Sequence, residues 1–287
     1  MKTASVSNYL SLIKFSHTVF ALPFALLGFF IGVKSTEAHF DWKVLGLVIL
    51  CMIFARSAAM AFNRLIDTDV DKENPRTAVR EIPAGVISKT SALVFVILNS
   101  LFFIVATYFI NTICFYLSPV ALLIVLGYSY TKRFTFLCHL ILGLGLSLAP
   151  IGAWLAVTGK FAVLPVLFSF AVLFWVSGFD IIYALQDEAF DKSKGLHSIP
   201  AAIGTKNALL LSSVFHLFSA AFILTAGFIG YAGMYYWIAA AIFSGLLLYQ
   251  HSLVKPDDLS KVNIAFFTTN GIASIVFAAL AIADLYL

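Results

Sequence analysis

Asn63, Asp67 and Asp71 recur four residues apart, so on a helix they share one face. Arg56 and Met60 continue that stripe back into an apolar run. Two carboxylates facing one way repel unless a cation joins them. Hard oxygen donors of this kind suit Mg²⁺, which takes one or two carboxylates and completes its shell with phosphate or water oxygens. Taken alone, the motif also reads as a solvated, charged helix end. A second stretch sets Asp180, Tyr183, Asp187 and Asp191 on one helical face at spacings of three, four and four. Asp180 closes a long apolar run, and a carboxylate at membrane depth is costly enough to mark function by default. The pair Asp187 and Asp191 repeats the spacing of Asp67 and Asp71, and Ile82-Pro83-Ala84-Gly85 and Ile199-Pro200-Ala201-Ala202 follow the two pairs at similar distances. Two matching acidic faces suggest two metal sites flanking one polyanion. Arg76, Arg80, Lys132, Arg133, Lys192 and Lys194 supply the cations that its remaining oxygens need, Arg bidentately.

The elements that must position these residues are membrane helices. The chain has 287 residues, 61% apolar and only 11% charged, where a soluble domain is nearer a quarter charged. That composition argues against a soluble globular protein, a disordered chain or a nucleic-acid binder. The apolar residues form long runs without period-two alternation, which argues against a membrane barrel. Nine apolar segments lie near 17–33, 44–62, 90–110, 112–130, 135–158, 162–186, 207–230, 232–250 and 263–286. The expected fold is therefore an all-α polytopic bundle of about nine transmembrane helices, two related four-helix halves plus one helix, forming a single unit over 1–287. Of the 18 Lys and Arg, all but Lys34, Lys43, Lys160 and the intramembrane Arg56 fall on the face that carries the N-terminus and the loops 63–89 and 187–206. The excess of basic residues places that face in the cytoplasm. Cys51, Cys114 and Cys138 read as small apolar-run residues without metal spacing. His17, His139, His197 and His216 show no metal spacing either and read as structural. A transporter or channel with a cytoplasmic-side acidic site is the alternative class, with helices broken near Pro150 and Pro165.

The chain resembles the UbiA superfamily of intramembrane prenyltransferases over essentially its whole length. That family carries N-x-x-x-D-x-x-x-D after its second helix, matched by Asn63, Asp67 and Asp71, and D-x-x-x-D after its sixth, matched by Asp187 and Asp191. Its R-T-x-x-R-x-x-P-x-G matches Arg76, Thr77, Arg80, Pro83 and Gly85. Its Y-x-x-x-K-R matches Tyr128, Lys132 and Arg133, and its Y-A-x-x-D matches Tyr183, Ala184 and Asp187, with Asp180 at the preceding Asp. Arg56 falls where 4-hydroxybenzoate prenyltransferases carry an Arg. Arg64, Glu81, Glu188 and His197 depart from that type. The stretches from His17 to Phe24 and from Arg80 to Gly85 look more like the branch that prenylates a naphthoate on the futalosine route to menaquinone.

The resemblance implies Mg²⁺-dependent transfer of a polyprenyl group from polyprenyl diphosphate to a small aromatic acid in quinone biosynthesis, with release of diphosphate. The acid would be 4-hydroxybenzoate-like or dihydroxynaphthoate-like. It implies a multi-pass protein of a bacterial-type inner membrane with its active-site loops cytoplasmic, a lipid bilayer as its surroundings and no nucleic-acid partner. Asp67, Asp71, Asp187, Asp191 and Asp180 would be catalytic, and the first four with Asn63 would hold the metal. Asn63, Arg76, Arg80, Lys132, Arg133 and Lys192 would bind the diphosphate. Arg56, Tyr128 and Tyr183 would bind the acceptor, with Arg56 pairing either the acceptor carboxylate or Asp180, because a buried Arg needs an anion.

Overall fold

A computed structural model of the chain describes residues 5–14, 20–36, 40–230 and 232–287. His17 and the start of the first apolar segment lie outside the described residues. The helices are α1 (Val6–Leu12), α2 (Leu22–Thr36), α3 (Trp42–Ile66), α4 (Thr68–Glu73), α5 (Lys89–Ile110), α6 (Thr112–Thr131), α7 (Cys138–Thr158), α8 (Val163–Ala184), α9 (Glu188–Ser193), α10 (Ile199–Ile229), α11 (Met234–Leu253) and α12 (Asn270–Asp284). A π-helical turn, Ile264–Thr269, leads into α12. Among the described residues, seven helices are long and apolar enough to cross a membrane: α3, α5, α6, α7, α8 with its continuation to Ser193, α10, and the Ile264–Asp284 helix. The segments expected near 17–33 and 232–250 correspond to α2 and α11, which fall outside that class. The described part of α2 has 15 residues, a rise of roughly 22 Å. Polar Tyr, Gln, His and Ser side chains dilute the apolar character of α11. Leu101, Leu217 and Leu248 are each more than half exposed on outward faces, as suits helices solvated by lipid.

The element order repeats. In each stretch a helix is followed by a second helix, a six-residue helix and two further helices: α2, α3, α4, α5, α6, then α7, α8, α9, α10, α11. The chain turns at the first Asp of each acidic pair. Asp67 (φ −86°, ψ 6°) separates α3 from α4, and Asp187 (φ −105°, ψ 2°) closes a 3₁₀ turn before α9. The acidic stripes are therefore interrupted where the spacing alone predicts continuous helix. Asp67 N–H still donates to Asn63 O (3.0 Å), and Asp71 N–H to Asp67 O (2.7 Å), so the four-residue spacing survives the break. Prolines do not break the bundle as expected. Pro150 lies within the continuous α7, and Pro165 sits in the first turn of α8, where its missing N–H costs nothing.

Close packing at the centre depends on small residues, as it does between membrane helices generally. A Cβ built on Gly28 of α2 would lie 2.1 Å from the Pro150 carbonyl oxygen of α7, and one on Gly143 of α7 would lie 2.5 Å from the Leu173 carbonyl oxygen of α8. Around these contacts Phe24, Phe168, Trp175, Phe243 and Phe277 join α2, α8, α11 and α12 in one buried cluster. The Trp175 indole N–H donates to Asn270 Oδ1 at 2.8 Å. Gly28→Ala must push α2 and α7 apart, an overpacking cost of about 1–3 kcal/mol, and should lower the melting temperature in detergent. Gly46→Ala meets nothing within 4 Å and should not; equal melting temperatures for the two variants would contradict this packing.

Candidate functional site

The ends of α3 and α8, with the loops that follow them, close over one cavity of about 760 Å³. Arg56, Asn63, Asp67, Asp71, Arg76, Arg80, Tyr128, Lys132, Arg133, Asp180, Tyr183, Asp187 and Asp191 all line it. A second, apolar chamber of about 360 Å³ adjoins it between α3, α5, α6 and α7. Arg56, Met60, Tyr128, Leu142 and Leu146 line both, so the polar mouth runs directly into an apolar interior.

Each carboxylate of the two acidic motifs faces a cation. Arg80 Nη1 bonds both oxygens of Asp71, at 2.7 and 2.9 Å. Arg76 grips Asp187 through Nη2 and through Nε, the latter at 3.0 Å. Lys132 Nζ lies 2.7 Å from Asp191 Oδ1, an ion pair without hydrogen-bond alignment. Arg133 Nη2 lies 3.5 Å from Asp67 Oδ1 and donates to the Ile66 carbonyl at 2.7 Å. Burial pushes the Asp67 carboxyl above its ordinary value, with Arg133 and Lys132 pulling it partly back. Burial also raises Asp71, to about 6. Burial works against the Lys132 ammonium as well, but Asp191 more than offsets it and its pKa ends above the ordinary value.

These pairs tie the two loops together. Arg76 reaches from the first loop to Asp187 in the second and donates through Nη1 to the Tyr183 hydroxyl at 3.1 Å. Asn74 Nδ2 donates to Asp187 Oδ1 at 3.1 Å, and Lys194 pairs with Glu73. Ser198 Oγ donates to Asp191 Oδ2 at 2.8 Å while also capping α10. Asn74 and Ser198 escape the sequence reading because nothing in their own spacing points to carboxylates elsewhere in the chain. Asn63 donates through Nδ2 to Asp67 Oδ2 at 3.1 Å. Lys192 does not join the group: its ammonium bonds Glu188 Oε1 at 2.6 Å, one turn away on α9, and it does not line the cavity.

Deeper in the cavity the polar groups are fewer. Arg56 Nε is buried with no partner among the described residues, and so are Nε and Nη1 of Arg64. Asp180 does not pair with Arg56. Its Oδ2 lies 2.7 Å from His139 Nδ1, so His139, which the sequence reads as merely structural, belongs to the site. The aromatic contacts begin about one turn on from Asp180, at Tyr183 of the same helix. Tyr183 stacks on Phe266 with ring centroids 4.2 Å apart, and the Arg76 guanidinium lies 5.3 Å from the Tyr183 ring centre.

The four carboxylates with Asn63 offer hard oxygen donors, the set Mg²⁺ prefers. Among the described residues no three acidic, His or Cys side chains come close enough to enclose an ion. That fits Mg²⁺, which binds through one or two carboxylates and draws its other ligands from phosphate and water, and it does not fit a closed all-protein cage.

The profile of the UbiA prenyltransferase family matches residues 21–272. A 4-hydroxybenzoate octaprenyltransferase of Aliivibrio fischeri (strain MJ11) is 30% identical over 250 residues, 86% of this chain and 85% of the relative. One of Nitrosomonas europaea is 29% identical over 248 residues, 86% and 84% of the two chains. Among solved structures, the apo structure of a UbiA homolog from Aeropyrum pernix K1 superposes with a TM-score of 0.84 at 32% identity, covering 93% of this chain and 98% of that one. A UbiA homolog from Archaeoglobus fulgidus bound to DMAPP and Mg²⁺ shares the fold, with a TM-score of 0.75 at 21% identity over 98% and 99% of the chains. With its paired acidic motifs at the mouth of a cavity within a membrane bundle, the chain belongs to the UbiA prenyltransferase family.

Proposed function

We propose that the protein transfers a polyprenyl group from its diphosphate to an aromatic acid and releases diphosphate. The observation that carries this reading is the cavity itself. Four carboxylates and four cations pair at its mouth, and an apolar chamber continues beyond Arg56, whose buried Nε has no partner among the described residues. An ionic diphosphate suits the mouth, an isoprenoid tail suits an apolar lining, and a carboxylate suits Arg56. The acceptor carboxylate is common to 4-hydroxybenzoate, the substrate named for the relatives, and to a dihydroxynaphthoate, which the stretch Arg80–Gly85 favours. The whole chain, 1–287, acts as one unit. It crosses a bacterial-type inner membrane about nine times, α2 and α11 adding to the seven long apolar helices, with the loops 63–89 and 187–206 in the cytoplasm on the argument of basic-residue asymmetry.

In this reading Asn63, Asp67 and Asp71 on one side and Asp187 and Asp191 on the other hold Mg²⁺. When bound, Mg²⁺ supplies Lewis-acid stabilisation of the charge that develops on the leaving diphosphate. Arg76, Arg80, Lys132 and Arg133 exchange their carboxylate partners for diphosphate oxygens. Arg56 holds the acceptor carboxylate, with Tyr128 beside it. Phe20, Tyr183, Phe266 and Phe267 line the cavity, exclude water and place aromatic rings near an allylic cation.

Asp67→Ala, Asp71→Ala, Asp187→Ala and Asp191→Ala should each lower kcat by about 100-fold or more in an assay of diphosphate release with prenyl diphosphate, Mg²⁺ and aromatic acid. Chelation should abolish turnover of the native protein, and full activity after chelation would refute the metal role. Arg56→Ala should raise the acceptor KM by roughly 10-fold or more, leaving the prenyl diphosphate KM and the melting temperature unchanged. A lowered melting temperature with an unchanged acceptor KM would make Arg56 a structural residue.

A further inference from the structure

Asp180 differs from the four carboxylates of the acidic motifs that line the cavity with it. Asp67, Asp71, Asp187 and Asp191 each face Arg or Lys. Among the described residues the one partner of Asp180 is an imidazole, with His139 Nδ1 2.7 Å from Oδ2. The opposite ring nitrogen settles the tautomer. His139 Nε2 accepts the backbone N–H of Ile199 at 3.3 Å, so it carries no proton, and Nδ1–H must be the donor to Asp180. The ring is 3% exposed and held on both sides. Its own carbonyl accepts from Ser177 Oγ at 3.1 Å, one turn from Asp180 on α8. The Asp180 side chain keeps 23% of its surface, and the cavity is where that surface lies. One carboxylate oxygen is thus clamped and the other, Oδ1, is left to the cavity. Asp180 lies seven residues before Asp187, about two helical turns deeper, and Arg56 lies seven before Asn63 on the facing α3. The two form a level below the ring of ion pairs.

We propose that Asp180 Oδ1 takes the ring proton of the aromatic acceptor, and that His139 is the positioning residue that aims it. The inference rests on the prenyl-transfer reading and extends it to the last step. The C–O bond of the prenyl diphosphate breaks and its electron pair leaves with diphosphate. A pair of ring electrons forms the new C–C bond. The C–H bond at that ring carbon then breaks, its electrons restore aromaticity, and the proton passes to Asp180, which later returns it to water. A carboxylate neutralised by Arg or Lys is a poor proton acceptor, whereas one held by a neutral N–H keeps its charge available. With Arg56 on the acceptor carboxylate, the ring lies between the two groups.

The test separates the two bonds of His139. Asn at 139 offers an N–H close to the place of Nδ1 but cannot reach the Ile199 N–H, whereas Leu offers neither. Native protein and the variants Asp180→Asn, His139→Leu and His139→Asn are compared in lipid nanodiscs with geranyl diphosphate, Mg²⁺ and either 4-hydroxybenzoate or a dihydroxynaphthoate. Asp180→Asn should lower kcat by about 100-fold or more. His139→Leu should lower kcat by about 10- to 100-fold through misplacement of Asp180, with the KM for geranyl diphosphate unchanged. His139→Asn should recover kcat to within about threefold of native, although both His139 variants lose the Ile199 bond and should melt at similar temperatures. Equal loss of kcat in the Leu and Asn variants would assign His139 to holding the start of α10 and overturn the proposal, as would native kcat in His139→Leu or Asp180→Asn. Absence of transfer by the native protein to both acceptors would instead overturn the prenyl-transfer reading, and the proposal with it.

Discussion

The pairing of four acidic side chains with four cations at one cavity mouth is the constraint on which the rest of the arrangement depends. A buried carboxylate left without a partner costs several kcal/mol. Asp191 is fully buried and Asp71 nearly so, so neither can sit there unless a cation comes to it. Meeting that demand brings distant parts of the chain together. Arg76 crosses from the first loop to Asp187, while Lys132 and Arg133, at the end of α6, face Asp191 and Asp67. The loops that in sequence look like connectors are thereby folded into short helices and clamped over the cavity. Because each of these carboxylates already has a counter-charge, in the proposed reaction a diphosphate that brings divalent cations is received by exchange: the guanidinium and ammonium groups turn to phosphate while the carboxylates turn to the metal.

The bundle supplies the second half of the design. Lipid offers no hydrogen bonds, so the backbone is satisfied within helices, and side chains small enough for close approach, such as Gly28 against Pro150, bring the helices together. Beneath the charged ring the lining becomes apolar through Met60, Leu142 and Leu146. A substrate with an ionic head and an isoprenoid tail meets both environments in the order it needs them. In the proposed reaction Arg56 and Asp180 are the charged residues that reach below the mouth on facing helices, one waiting for an anion and the other held by His139.

Much of the site could be read from sequence because its chemistry is local. Carboxylates four residues apart, in two copies, are visible without a structure, and so is the concentration of cations in the two loops. The long apolar runs give the helices for the same reason. What escapes is non-local. The turn at Asp67 and Asp187 interrupts stripes that the spacing alone makes continuous. Lys192 carries the right charge in the right loop, yet its own helix offers it Glu188, and a partner one turn away wins over one across the cavity. His139 looks inert in sequence because its two partners, Asp180 and Ile199, come from α8 and the start of α10. Arg56 has two anions within reach in principle, and only the packing reveals that Asp180 is already engaged.

The central claim is that the carboxylate ring receives metal and diphosphate together by exchange of ion pairs. Calorimetric titration of Mg²⁺ into the protein in nanodiscs, with and without a non-transferable prenyl thiodiphosphate, tests it most directly. Because no three acidic, His or Cys side chains among the described residues enclose an ion and each carboxylate already faces a cation, Mg²⁺ alone should bind weakly. The thiodiphosphate should raise its affinity by at least about tenfold, and by linkage Mg²⁺ should raise the affinity of the thiodiphosphate by the same factor. Tight Mg²⁺ binding without the diphosphate, or equal affinities with and without it, would contradict the account.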